Sequence, residues 1–273
     1  AANRMTEKTH VTPMNTLRVR QLQLKFLATP WVLGSLAILV CLLAPLVGPT
    51  PIKLSRVFDN SVSFADNVDA QIFFIARLPR VLAGALVGGS LAAAGVVLQA
   101  LLRNLLATPF TLGVSAGASL GAMIVIILGI PFALAGLPAV TLASFIGSLV
   151  AVGIVYFLAR LRRQGLSTTV LLLAGVTLNS LFSAIIMFVQ YLADFSQNFQ
   201  AVRWLMGNLD VSGYEPILWA LPLLMAALAG FTYLPRSLNL LTLGTEYAAT
   251  RGVDVLKTQR LAFLSASLAT GAA

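Results

Sequence analysis

Apolar and polar positions in this chain are sorted into long blocks rather than into the short alternation of strands or the one-sided face of a surface helix. Six runs contain no Asp, Glu, Lys, Arg or His: Trp31 to Val47, Val81 to Leu102, Leu112 to Ile130, Ala139 to Leu158, Val170 to Leu192 and Ile217 to Leu234. Each approaches or exceeds the roughly 17 to 25 residues with which a helix crosses hydrocarbon. A seventh run begins at Leu261 and reaches only Ala273, too short to cross. The pattern predicts an all-α fold, a polytopic transmembrane helical bundle over residues 31–273, preceded by a basic N-terminal arm over residues 1–30. That arm is polar for too long to be the n-region of a signal peptide. No small-residue cleavage site follows the first run, which therefore reads as a retained span.

Composition agrees with the blocks. A mean hydropathy of +0.91 with 10% charged residues is that of an integral membrane protein. The basic balance, net +9, does not point to nucleic acid, because the cations are spread over the loops between spans instead of forming one basic face. Their distribution fixes an orientation. With the arm in the cytoplasm, 13 of the 18 Lys and Arg lie inside, and Lys53, Arg56, Arg77, Arg80 and Arg203 lie outside. The positive-inside rule then predicts a multi-pass cell-membrane protein with a cytoplasmic N-terminus. Cys41, the single cysteine, lies within the first run, and His10, the single histidine, stands in the arm without a ligand cluster; no metal site or cofactor is expected.

Inside the spans the polar groups are small and neutral. Gly84 and Gly88 form one small-xxx-small pair, and Gly113, Gly117 and Gly121 form a longer series, spacings that let helix backbones approach. A polar stripe of Gly175, Asn179, Ser183 and Gln190 follows the fifth run at near-helical spacing. Two readings of the stripe stand: interhelical packing, or the lining of a transport pathway. The lack of intramembrane ionisable residues argues against a proton- or ion-coupled secondary carrier.

Two extramembrane features carry the remaining information. Arg77-Leu78-Pro79-Arg80 places two cations at the start of the second run, against the helix dipole and, in the orientation above, on the outer side where cations are scarce. They read either as a docking pair for an acidic partner or as arginines snorkelling to lipid phosphates. On the inner side, residues 235–260 are longer than a bare connection needs. There Thr245 is placed to N-cap a short helix, Glu246 and Arg251 suit its first and last turns, and Gly252 suits the left-handed position beyond its end. A docking element and an amphipathic loop lying on the membrane surface both fit.

The motifs Arg77-Leu78-Pro79-Arg80, Gly95-Val96-Val97-Leu98-Gln99, Asn104, Leu106-Ala107, Leu112-Gly113-Val114-Ser115-Ala116-Gly117, Leu173-Ala174-Gly175-Val176, Trp204-Leu205-Met206-Gly207 and Leu238 to Gly244 occur in the order that resembles FecCD-type permeases. These are membrane subunits of ATP-binding-cassette importers for iron-siderophores, haem and cobalamin. The resemblance implies an all-helical subunit of about ten spans, continuing beyond Ala273 and paired with a second permease subunit. It implies two cytoplasmic ATP-binding subunits, an extracytoplasmic substrate-binding protein and surrounding membrane lipid as partners, with no nucleic acid. It assigns Arg77 and Arg80 to the binding protein. The turn with Asn104 and Leu106 corresponds to part of the family's cytoplasmic gate; on the cap pattern Leu243, Gly244, Glu246 and Gly252 are expected to form the ATPase coupling loop, and Gly175, Asn179 and Ser183 of the stripe are expected to line the pathway with the gate. The family's usual Asn-Pro-Leu-Ala is here Asn104-Leu105-Leu106-Ala107. The chain carries no phosphate-binding loop, so it is not expected to be an enzyme. The function implied is import of a metal chelate, an iron-siderophore foremost, by alternating access driven by separate ATPases. The alternative is a truncated, non-transporting scaffold or regulatory partner of such a complex.

Overall fold

The computed structural model describes residues 29–59, 61–130, 133–134, 137–160, 168–209, 211 and 213–273. Most of the basic arm, residues 161–167 with their two arginines, and Asp210 lie outside the described residues. The chain divides into two compact units, Ala1–Phe73 and Phe74–Ala273.

In the first unit, α1 (Thr29–Leu46) is a membrane-length helix whose last turn tightens to 3-10 geometry over Ala44–Leu46. Its large side chains are exposed almost throughout. Beyond it, α2 (Leu54–Val57) and α3 (Val68–Gln71) are single turns fastened by side-chain amides. Asn67, only 8% exposed, caps α3 by accepting from the Ala70 N–H (3.1 Å) and donates to the Arg56 carbonyl (2.6 Å). Both halves of its amide are thus satisfied, as burial demands. Hydrogen bonds from the Ser61 hydroxyl and then the Ser61 backbone N–H hold the Asp59 carboxyl below its ordinary value.

A π turn, Ile72–Arg77, leads into α4 (Leu78–Leu102). The second unit continues with a 3-10 turn, Pro109–Leu112, then α5 (Val114–Leu128) and the two-residue strands β1 (Ala133–Leu134) and β2 (Leu137–Pro138). The strands pair antiparallel, Ala133 opposite Pro138. The long helices α6 (Ala139–Arg160) and α7 (Thr168–Leu192) follow, then α8 (Phe195–Leu205), α9 (Glu215–Tyr233), α10 (Pro235–Thr242), α11 (Thr245–Thr250) and α12 (Val255–Ala272).

Among the described residues five helices are long and apolar enough to cross a membrane, and α5 is a shorter apolar helix. The run expected from Leu112 to Ile130 is therefore helical over a shorter stretch than its hydropathy indicates. Gly113 (φ +76°) and Gly129 (φ +60°) bracket it in left-handed conformations. The Ile130 and Gly129 N–H groups bond back to Val125 and Ile126 and close the helix, the C-terminal stop that glycine favours.

Small residues set the closest packing. An added Cβ on Gly117 would lie 2.5 Å from the Gly147 oxygen and 2.6 Å from the Ala151 Cβ, and one on Gly121 would collide with the Ala143 carbonyl. Helices α5 and α6 thus meet backbone to backbone along Gly117 and Gly121 on one side and Ala143, Gly147 and Ala151 on the other. A Cβ on Gly84 would lie 3.4 Å from the Leu209 side chain, and one on Gly88 would meet nothing within 4 Å. The α12 helix packs against α4, α6 and α9. It buries Phe263, which stacks on Tyr156 with centroids 6.1 Å apart.

Candidate functional site

Within the second unit the candidate residues lie at the start of α4, in the turn after its end with the adjoining part of α7, and around α11. At the start of α4 Pro79 is buried, Arg77 half-buried and Arg80 exposed. The Arg80 Nε donates to the Leu209 carbonyl at 3.0 Å, joining positions 129 residues apart. The segment after α8 makes two more ties to the start of this helix. The Gly213 N–H donates to the Ile75 carbonyl (3.1 Å) and the Tyr214 hydroxyl to the Phe74 carbonyl (2.9 Å). Both acceptors lie in the π turn, where the widened helical register makes backbone carbonyls available to outside donors. The segment is framed by Gly207 (φ +72°) and Gly213 (φ +86°), both left-handed.

Helix α8 is anchored at its start as well. Asp194 and Gln197 form a reciprocal capping box, with 2.8 Å from the Gln197 N–H to the Asp194 carboxylate and 3.0 Å for the return bond. The Gln197 amide also donates to the Ile127 carbonyl at the end of α5 (2.9 Å).

At the other end, α4 stops at Arg103, the one non-glycine residue with positive φ (+48°) among the described residues. Asn104 then organises the turn. Its N–H bonds back to the Gln99 carbonyl (3.2 Å), and its side-chain oxygen accepts from the Leu106 N–H (2.9 Å). This places Leu105 and Leu106 on the surface, 85% and 81% exposed. The turn runs into the 3-10 segment Pro109–Leu112, which lies against α7 at Gly175. There a Cβ would clash with the Thr111 carbonyl and fall 2.8 Å from the Leu112 Cα. Gly113 approaches the Gly175 oxygen and the Asn179 backbone nitrogen. The fold thus joins the Asn104–Leu106 turn to the Gly175–Asn179 stretch through that segment. Gly175 is buried, Asn179 half-buried and Ser183 exposed.

The short helix of the 235–260 region is present as α11, but its cap is Gly244, not Thr245. Gly244 adopts φ +132°, ψ +148°, and its carbonyl accepts the first helical bond from Ala248. That backbone region is open essentially to glycine alone, and it turns the chain one residue before Thr245. No side-chain cap is formed. Arg251, expected in the last turn, is instead the C-cap, and its guanidinium lies 5.3 Å from the Tyr247 ring centroid while bonding the Tyr247 hydroxyl (3.1 Å). Gly252 takes the expected left-handed position (φ +81°). The Gly252 and Val253 N–H groups bond to Ala249 and Ala248, a Schellman termination. Leu243 is 69% exposed and Glu246 exposed beside it.

Three contributors escaped sequence reasoning. Gly147 was legible, since Ala143, Gly147 and Ala151 repeat the small-xxx-small spacing. Tyr214 and the Leu209 carbonyl carry no local signal of their partners. Among the described residues no group of three His, Cys, Asp or Glu converges.

Comparison with known proteins accords with this geometry. The FecCD transport family model matches residues 36–273. The uncharacterized ABC transporter permease protein YvrB of Bacillus subtilis (strain 168) is 34% identical over 219 residues, 79% of this chain and 61% of its own length. The hemin transport system permease protein HmuU of Yersinia pestis is 36% identical over 245 residues, 86% of this chain and 71% of its own. The chain therefore spans about three-fifths to seven-tenths of the length of these curated relatives. A solved structure of a metal-chelate type ABC transporter in an inward-facing conformation superposes with a TM-score of 0.72 at 29% identity, covering 89% of this chain and 73% of that one. With the family model matched across both ends of the bundle and the motifs of each end in their expected order, this multi-pass membrane chain belongs to the FecCD transport family.

Proposed function

We propose that this chain is a permease subunit of an ABC importer for a metal chelate, and that the chelate is an iron-siderophore. The observation that carries the reading is the family match over residues 36–273, on a bundle with arginines at one end and a glycine-framed short helix at the other. The N-terminus is cytoplasmic and the membrane is the cell's inner or cytoplasmic membrane, in keeping with the cation distribution. A second permease subunit completes the pathway, and two cytoplasmic ATP-binding subunits supply the energy. The chain itself does no covalent chemistry. ATP binding draws the ATPases together, the coupling loop around Leu243, Gly244, Glu246 and Gly252 follows them, and the spans reorient around Asn104, Leu106, Gly175, Asn179 and Ser183.

Arg77 and Arg80 receive carboxylates of the substrate-binding protein at the outer end. Complementary charge acts mainly on encounter and orientation. Arg77→Glu combined with Arg80→Glu is therefore expected to slow docking of the binding protein on nanodisc-held importer and to reverse its salt dependence, as read by surface-plasmon kinetics. An unchanged rate and salt slope would make the two arginines lipid anchors. The chelate is tested separately, by growth of a deletion strain on a panel of ferric siderophores, haem and other chelates as sole iron source. Undiminished growth on every ferric siderophore removes the iron-siderophore assignment.

A further inference from the structure

We infer that α8 presents Phe195, Phe199 and Arg203 to the passing chelate, and that the chelate they select is an anionic one whose iron is held by aromatic rings, a ferric catecholate. The inference rests on the iron-siderophore reading above and names its chemical class. The way α8 is fastened carries the argument. Its amide side chains point into the protein: Gln197 donates to the Ile127 carbonyl (2.9 Å), and Asn198 donates to the Gln190 and Ala193 carbonyls (3.0 and 3.3 Å). Ala201, a turn further on, is fully buried. With that face held inward, Phe195 and Phe199 stand outward, 89% and 64% exposed, and Arg203 is exposed beside them. The three follow one another at i, i+4 spacing, which makes their side chains neighbours on one surface.

Lipid does not account for this surface. A helix lying in a membrane interface keeps its apolar residues on one face and its charges on the other, whereas here the cation shares the outward face with the rings and the neutral amides are turned inward. A cation facing hydrocarbon is also costly. The surface instead continues the stripe proposed to line the pathway. Along α7, Asn179, Ser183, Met187 and Tyr191 recur every fourth residue; the last three are exposed, and Tyr191 stands in the final turn before α8. The occupant is therefore what moves along that stripe, and the side chains state its chemistry. Phe and Tyr rings stack on other aromatic rings, the flexible Met187 thioether adapts to a passing shape, and a guanidinium both lies over rings and attracts an anion. A ferric catecholate offers ring faces and net negative charge together. A neutral ferric trihydroxamate offers neither.

The complete importer in proteoliposomes, with its own binding protein, is supplied with ferric tris-catecholate and separately with neutral ferric trihydroxamate, and uptake of radioactive iron is timed. Wild type takes up the catecholate. Phe199→Ala lowers that uptake about tenfold, the factor that an aromatic pair worth about 1.4 kcal/mol supplies, and Phe199→Tyr restores it. Arg203→Gln slows it, and Arg203→Lys recovers part of the rate. A second measurement leaves the three side chains intact. With Cys41→Ser and a reporter, Gln200→Cys, on the exposed side of α8, ferric catecholate slows reaction of the thiol with an impermeant maleimide in the working importer, and the trihydroxamate does not. Lost uptake in Phe199→Ala with the Gln200→Cys thiol unprotected overturns the inference and makes Phe199 a support of the fold. Undiminished catecholate uptake in both Phe199→Ala and Arg203→Gln overturns it as well, as does a wild-type importer that takes up only the trihydroxamate. Each of these leaves the iron-siderophore reading standing. A wild-type importer that takes up haem and neither siderophore removes that reading, and the inference with it.

Discussion

Replacing Gly121 by alanine drives a methyl group into the neighbouring helix. The new Cβ would lie 2.8 Å from the Ala143 carbonyl carbon and 3.3 Å from the Ser144 nitrogen, with the Ala143 oxygen closer still. Non-bonded carbons settle at about 3.5 to 4.0 Å, so α5 and α6 must part by about 0.7 Å or more. A gap of that size forfeits about a quarter to a half of each dispersion contact along the seam. Strain of this kind costs about 1 to 3 kcal/mol, and the better helix propensity of alanine offsets up to about 1 kcal/mol. With that offset in full, the net loss relative to wild type is about 0 to 2 kcal/mol, and the loss relative to an alanine that gains propensity without a clash is about 1 to 3 kcal/mol. Gly153, on α6, is the internal control, because a Cβ there meets nothing within 4 Å. Gly153→Ala keeps the propensity gain without the clash and should be neutral or slightly stabilising. Equilibrium unfolding in mixed micelles, followed by tryptophan fluorescence, separates the two. Gly121→Ala unfolding at the same midpoint as Gly153→Ala, or above it, would refute the backbone-to-backbone account of the seam.

Three further expectations concern the ends of the bundle. Gly244→Ala forces a Cβ into a backbone region that costs about 1 to 3 kcal/mol, and with Gly252→Val it should lower binding-protein-stimulated ATP hydrolysis in the reconstituted importer; full stimulation in both variants contradicts the coupling role. Asp194→Ala removes the capping bond of α8, worth about 1 kcal/mol, so the amides at the start of that helix should exchange faster by mass spectrometry, and unchanged protection would show the cap to be dispensable. Cysteines at Asn179 and Ser183, with Cys41 replaced, should react with an impermeant thiol reagent in a nucleotide-dependent way while Leu98→Cys, at a position 1% exposed, stays silent; the reverse pattern makes the stripe a packing surface.

The sequence by itself determined the membrane character and the helical class. Charge-free runs of spanning length leave backbone groups no water to bond, and within lipid a helix satisfies them inside one segment. It also determined the stop at Gly252, because a left-handed C-terminal position is a local property that glycine answers locally. The arginine pair stands out in the sequence because two cations at a helix start oppose the dipole; the docking role proposed for it rests on the cation distribution and not on a local signal. The shortness of α5 was not legible, since hydropathy does not register the left-handed turns at Gly113 and Gly129. The cap of α11 was misplaced by one residue, because propensity favours Thr245 while the turn needs a conformation that only Gly244 can hold. Tertiary structure alone decided which glycines are contacts. Gly117 and Gly121 meet Gly147 and Ala143, while at Gly88, with the same spacing signal, an added Cβ would meet nothing within 4 Å. It alone brought Arg80 to the Leu209 carbonyl across 129 positions of sequence. Helix periodicity is a property of neighbours in the chain, whereas these contacts depend on where helices cross, and the crossing is settled by the summed fit of many side chains far apart in sequence.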